Sequence, residues 1–112
     1  MNIQIFGSKK CFDTKKAERY FKERGIKFQK IDLSQKGLSP GELKSIIQSV
    51  SIDNLINKDS TNYKESVLAY TSDRDTMQEI LIENPKLLIT PIVRNVKKAS
   101  VGYQPDVWKS WE

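Results

Sequence analysis

The chain holds one sulfur nucleophile and no imidazole: Cys11 is its only cysteine, and histidine is absent. These two counts remove several chemistries. An intramolecular disulfide is impossible, zinc sites built from Cys and His cannot be assembled, and neither a Ser-His-Asp nor a Cys-His pair exists. Any thiol chemistry rests on a lone sulfur activated without imidazole. Cys11 stands in the run Gly7-Ser8-Lys9-Lys10-Cys11-Phe12-Asp13-Thr14, between a strand-like segment and a helical one. A sulfur at a helix N-terminus faces unpaired backbone N–H groups and the positive end of the macrodipole. Both favour the thiolate over a free thiol with its pKa of about 8.5. Lys9, Lys10, Lys15 and Lys16 add positive potential, and the same turn suits an oxyanion. Thr14 takes the place of a second cysteine in a C-x-x-C pair. Its hydroxyl is a candidate donor to the thiolate, but it cannot resolve a mixed disulfide, so a redox cycle needs an external thiol. The plainer alternatives are an inert core cysteine and a first-turn threonine bonding locally.

The elements that would position this turn follow from periodicity. Asn2 to Phe6 alternates as a strand, with Ile3 and Ile5 on one face. Gly7 to Lys10 reads as a loop. Phe12 to Arg24 reads as a helix, with Ala17, Tyr20 and Phe21 inward. Gly25 is its left-handed stop, with Ile26 as the hydrophobic contact. Ile26 to Leu33 forms a second strand. Ser39-Pro40-Gly41-Glu42 carries a capping box with proline at the first helical position, and Leu43, Ile46, Ile47 and Val50 form the buried stripe behind it. Ile52 to Ile56 gives a short turn, and Tyr63 to Tyr70 another helix. A further helix starts at Ser72 and Asp75 and ends at Pro85. Leu87 to Arg94 is apolar and contains Pro91, which cannot donate to a sheet ladder. Ala99 to Gly102 is its hairpin partner. Gln104 to Trp111 is a last helix, with Val107, Trp108 and Trp111 packing inward. The order is a right-handed βαβ unit, a block of helices, then a hairpin and a helix.

The chain's 112 residues fit one domain. Hydrophobic residues make up 38% and come in periodic runs, which excludes a disordered chain. No apolar stretch approaches the ~20 residues that span a bilayer, and the first residues lack a secretory pattern. A cytoplasmic location is expected, with no membrane association. The net charge is +5, from 19 basic and 14 acidic residues. The basic residues are interleaved with acids rather than gathered into a run with aromatics, so direct nucleic-acid binding is not expected. A monomer with no bound metal or cofactor is the expected state.

The strand, Cys11 at its turn, the basic helix, Leu87-Leu88-Ile89-Thr90-Pro91-Ile92-Val93 and Val101-Gly102-Tyr103 together resemble the ArsC/Spx family across essentially the whole chain. That family contains glutaredoxin-coupled arsenate reductases, Spx transcriptional regulators and YffB-like proteins. The resemblance implies an α/β, thioredoxin-like three-layer fold with a four-stranded mixed sheet. It implies thioredoxin-like halves at about 1–36 and 86–112 and a helical insertion at about 37–85. Cys11 matches the family's nucleophile. Pro91 matches a cis-proline beside it, leaving the Thr90 backbone to pair with a cysteine-containing peptide or glutathione. The implied co-substrate or partner is glutathione or a glutaredoxin, and in the Spx branch RNA polymerase, met through a surface whose glycine corresponds to about Ser51. The arginine clamp of the arsenate reductases falls at about Asn57-Lys58, at Thr90 and at Tyr103-Gln104, where this chain has no arginine. Lysine or neutral side chains do not replace a bidentate guanidinium. Arg94 is the nearest substitute anion contact, the alternative being a solvent-facing strand residue.

Overall fold

The computed structural model describes all 112 residues. Four strands form one mixed sheet in the order β2-β1-β3-β4. β1 (Ile3–Gly7) lies parallel to β2 (Phe28–Asp32), antiparallel β3 (Ile92–Asn95) flanks its other side, and β4 (Lys98–Val101) closes the edge. Gly7 is therefore the last residue of β1 rather than part of the loop expected from Gly7 to Lys10. Alternation splits the strands between two cores. Ile3, Ile5 and Val93 face one side with Ala17, Tyr20, Phe21 and Trp108. Phe6 and Ile92 face the other, against Leu43, Ile46, Leu55 and Leu81 of the helices between the halves. Helices cover both faces, giving three layers.

α1 (Phe12–Glu23) crosses from β1 to β2 with Thr14, Ala17, Tyr20 and Phe21 buried. It ends as the sequence requires. Gly25 has φ of 67°, its N–H donates to Lys22 O at 3.1 Å, and the Ile26 N–H donates to Phe21 O at 2.9 Å. Those two bonds satisfy the last carbonyls of the helix. They also commit Ile26 to the cap, so β2 begins at Phe28 rather than Ile26.

α2 (Pro40–Ile47) opens on the expected capping box: the Glu42 N–H donates to Ser39 Oγ at 3.1 Å, and the Ser39 N–H donates to Glu42 Oε1 at 2.9 Å. α3 (Ile52–Leu55) follows. The helix expected over Tyr63 to Tyr70 is instead two pieces, α4 (Thr61–Lys64) and a 3-10 turn (Val67–Tyr70). Serine caps cause the break. Ser60 Oγ accepts from the Tyr63 N–H at 3.2 Å and Ser66 Oγ from the Leu68 N–H at 3.1 Å, so each starts its own turn. α5 (Arg74–Glu83) is capped by Asp73, not Ser72: Asp73 Oδ2 accepts from the Thr76 N–H at 3.1 Å. A 3-10 turn (Pro85–Leu87) leads into the proline segment. α6 (Pro105–Ser110) buries Trp108 fully and Trp111 partly, whereas Val107, one residue and 100° away, is exposed. Trp108 Nε1–H donates to the buried Ser100 Oγ at 2.7 Å, tying α6 to β4.

Candidate functional site

Cys11 is the N-cap of α1, half-buried, with extended backbone (φ −88°, ψ 118°). The β1–α1 turn around it is held by Ser8. The Cys11 N–H donates to Ser8 O at 3.1 Å, and the Lys10 N–H donates to Ser8 Oγ at 3.3 Å. The Ser8 N–H donates to Thr14 Oγ1 at 3.4 Å. Thr14 is buried, 4% exposed. Its oxygen accepts from Ser8, which leaves its proton for the sulfur. Gly7 makes this arrangement possible: a Cβ there would lie 2.4 Å from Thr14 Cγ2 and 2.6 Å from Thr14 Oγ1. The sequence hint was a glycine between strand and helix, where close backbone approach is common.

The second wall is the segment before β3. The Thr90-Pro91 bond is cis, and the Cys11 Sγ–H donates to Thr90 O at 3.5 Å. Neighbouring bonds lock this segment in place. The Ile89 N–H donates to Leu55 O at 2.8 Å, the Asn57 N–H to Leu87 O at 2.9 Å, and the Gly102 N–H to Pro91 O at 2.8 Å. The Thr90 N–H makes no hydrogen bond within the chain. Residues far apart in sequence, Cys11, Thr14, Thr90 and Pro91, thus meet at one end of the sheet.

Partial burial pushes the Cys11 thiol up, but the hydroxyls of Thr14 and Thr90 and the N–H groups of Thr14 and Asp13 favour the anion more, and the net shift is downward from an ordinary thiol. The protonated sulfur makes no capping bond to the helix and turns to the Thr90 carbonyl. The anion instead takes donors from both walls.

Lys9 and Lys10 are exposed in the turn and line a groove with Thr90. Arg94 does not join them. It pairs with Gln4 in the sheet, well back from the Gly7 end of β1, and its Nε–H donates to Val96 O in the β3–β4 turn at 3.0 Å. A strand register set by Ile5 and Val93 carries it away from the sulfur, which corrects its expected role as an anion contact. The positions of the implied arginine clamp are also otherwise engaged. Lys58 pairs with Asp53 at 3.7 Å, the Gln104 amide donates to Val101 O at 3.2 Å, and Tyr103 packs edge-on against Trp108. Two further neighbours of the site had no signal in the sequence, Lys86 in the groove and Ser8 in the turn. No cluster of three His, Cys, Asp or Glu side chains suited to a metal ion forms in the chain, and no helix is long and apolar enough to cross a membrane.

Residues 6–111 match the ArsC family model. The chain belongs to the ArsC family. The global transcriptional regulator Spx 2 of Oceanobacillus iheyensis is 32% identical over 111 residues, spanning 95% of this chain and 80% of that protein. An arsenate reductase from Vibrio cholerae superposes with a TM-score of 0.87 at 24% identity, covering 98% of this chain and 97% of that one. The glutaredoxin-like protein NrdH-redoxin from Escherichia coli superposes with a TM-score of 0.51 at 14% identity, covering 100% and 96%. The last two likenesses concern the fold, which is that of an ArsC-type, thioredoxin-like α/β protein with a mixed four-stranded sheet. The first is a likeness in sequence to an Spx regulator.

Proposed function

We propose that this ArsC-family chain is a single-cysteine thiol-exchange protein. The observation that carries the reading is the position of Cys11 Sγ, 3.5 Å from Thr90 O beside Pro91, with the hydroxyls of Thr14 and Thr90 as donors for the anion. In the first step the Cys11 thiolate attacks one sulfur of a partner disulfide. A new S–S bond forms to Cys11, the partner's S–S bond breaks, and its second sulfur leaves as a thiolate with the electron pair. Thr14 carries no sulfur, so the mixed disulfide waits for an external thiolate, that of glutathione or of a glutaredoxin. This attacks the partner sulfur, takes it into a new disulfide and releases Cys11 as thiolate. A cytoplasmic setting supplies such thiols. Arsenate reduction is disfavoured, because none of the four arginines, Arg19, Arg24, Arg74 and Arg94, occupies a clamp position.

The test is alkylation by iodoacetamide across a pH series. The rate should rise through an inflection below the free-thiol value of about 8.5. An inflection at that value, or a sulfur that resists the reagent, refutes the reading. A coupled assay with glutathione, glutaredoxin and arsenate should show only background turnover.

The 32% identity to Spx 2 favours one second reading, a transcriptional regulator that docks on RNA polymerase and uses Cys11 as a redox sensor or not at all. Co-purification of RNA polymerase with wild type and Cys11→Ser alike, together with an unperturbed thiol, would favour it over thiol exchange.

A further inference from the structure

A groove of about 640 Å³ opens beside the sulfur. Lys10, which precedes Cys11, and Thr90, whose carbonyl lies 3.5 Å from Sγ, both line it. So do Lys9 and Lys86, the latter from the 3-10 turn that leads to the cis bond. Three lysines from two separate segments therefore face one concavity. None of them has a carboxylate within ion-pair reach; the paired lysines of the chain are Lys16, Lys30 and Lys58. The acid in the wall, Asp32, accepts from the Ser34 N–H at 2.9 Å and the Ser34 hydroxyl at 2.6 Å. Those bonds, helped by Lys9, hold it below the usual carboxylate range as a fixed anion. One occupied carboxylate against three unpaired cations leaves the groove net positive, and a concave wall focuses that field.

Two further features beside the sulfur say more about the occupant of the groove. Phe12, on the other flank of Cys11, is 79% exposed, with Lys15 Nζ 5.9 Å from its ring centre. The Thr90 N–H has no partner and is free to pair with an extended backbone. Glutathione brings a carboxylate at each end and no apolar side chain for Phe12. A polypeptide with acids on one side of its cysteine and an apolar residue on the other matches both flanks. We propose that the groove docks an acidic, cysteine-bearing segment of a partner protein, its carboxylates against Lys9, Lys10 and Lys86 and its backbone against Thr90. This rests on the thiol-exchange reading and names the substrate class for it.

The test uses the full chain and two peptides of equal length, each with a central cysteine activated as its thionitrobenzoate disulfide. One peptide carries glutamates on one side of the cysteine; the other carries glutamines. Release of thionitrobenzoate gives the rate. The acidic peptide should react about tenfold faster at low ionic strength, and salt should shrink that ratio towards one. Lys86→Gln should cut the ratio about threefold, the scale of one exposed charge contact. Lys9→Gln, Lys10→Gln and Lys86→Gln together should abolish it, while Lys58→Gln, a lysine outside the groove, should leave it intact. Equal rates for the two peptides overturn the proposal, as does a ratio unaltered by Lys86→Gln. Oxidised glutathione outpacing the acidic peptide with the same Lys86 dependence overturns the polypeptide assignment. Neutral dithiodipyridine is the separate control: if it reacts with Cys11 no faster than with a free cysteine peptide, the thiol-exchange reading itself falls, whatever the two peptides do.

Discussion

Substituting Gly7 by alanine strikes the site through packing alone. The new Cβ would meet Thr14 Cγ2 at 2.4 Å, Oγ1 at 2.6 Å and Cβ at 3.0 Å. These atoms belong to a short side chain on a buried helical turn, so no flexible end can swing away. Either Thr14 leaves its rotamer or α1 shifts outward from β1. Overpacking of this kind costs about 1–3 kcal/mol, and each kcal/mol lowers the melting temperature of a domain this size by about 4–6 °C. The same displacement draws the Thr14 hydroxyl away from Cys11 and from the Ser8 N–H, so the thiol should titrate higher than in wild type. Urea unfolding and the pH dependence of alkylation read the two effects separately. Thr14→Ala removes the two closest atoms and leaves only the 3.0 Å contact. In that background Gly7→Ala should cost less than about 1 kcal/mol and should raise the thiol pKa no further. A stable Gly7→Ala with an unchanged thiol, or a strictly additive double-mutant cycle, refutes the reasoning.

The lowered Cys11 pKa also links to stability. A group whose folded pKa lies below its unfolded one stabilises the fold above the unfolded value, about 8.5 for a thiol; that contribution is lost as pH falls through the folded value. The stability gap between wild type and Cys11→Ser, measured in urea, should therefore widen in favour of wild type from neutral to alkaline pH. Trp108→Phe strands the buried Ser100 hydroxyl that now accepts Nε1–H at 2.7 Å, costing about 1–3 kcal/mol; adding Ser100→Ala should recover that part in the same assay. Val96 holds φ of 57° in the β3–β4 turn, a left-handed conformation that disfavours a β-branched residue by about 1–2 kcal/mol, so Val96→Gly should raise the denaturant midpoint.

Much of the site was open to a reader of the chain alone. Cys11 as a helix cap needed only a strand pattern before it and a helix pattern after it, because those two periods force a turn between them. Gly25 and the Ser39/Glu42 box were likewise local, each acting within a few residues. The break at Ser66 was missed because a serine at that position fits a helix surface and a cap equally well. Arg94 was misplaced because its apolar strand neighbours fix which face it takes but not how far along the sheet it lies from Cys11.

Local sequence thus determined most of the elements and the solitary sulfur, with no second cysteine to resolve a disulfide formed on it, since these depend on residue types and short-range spacing. Only the tertiary structure decided what surrounds that sulfur. Strand register set Thr90-Pro91 against Cys11 and carried Arg94 away, and the bare face of Gly7 let Thr14 reach the turn. The groove with Lys86 arose in the same way, because long-range pairing, which no local pattern encodes, brings distant segments together.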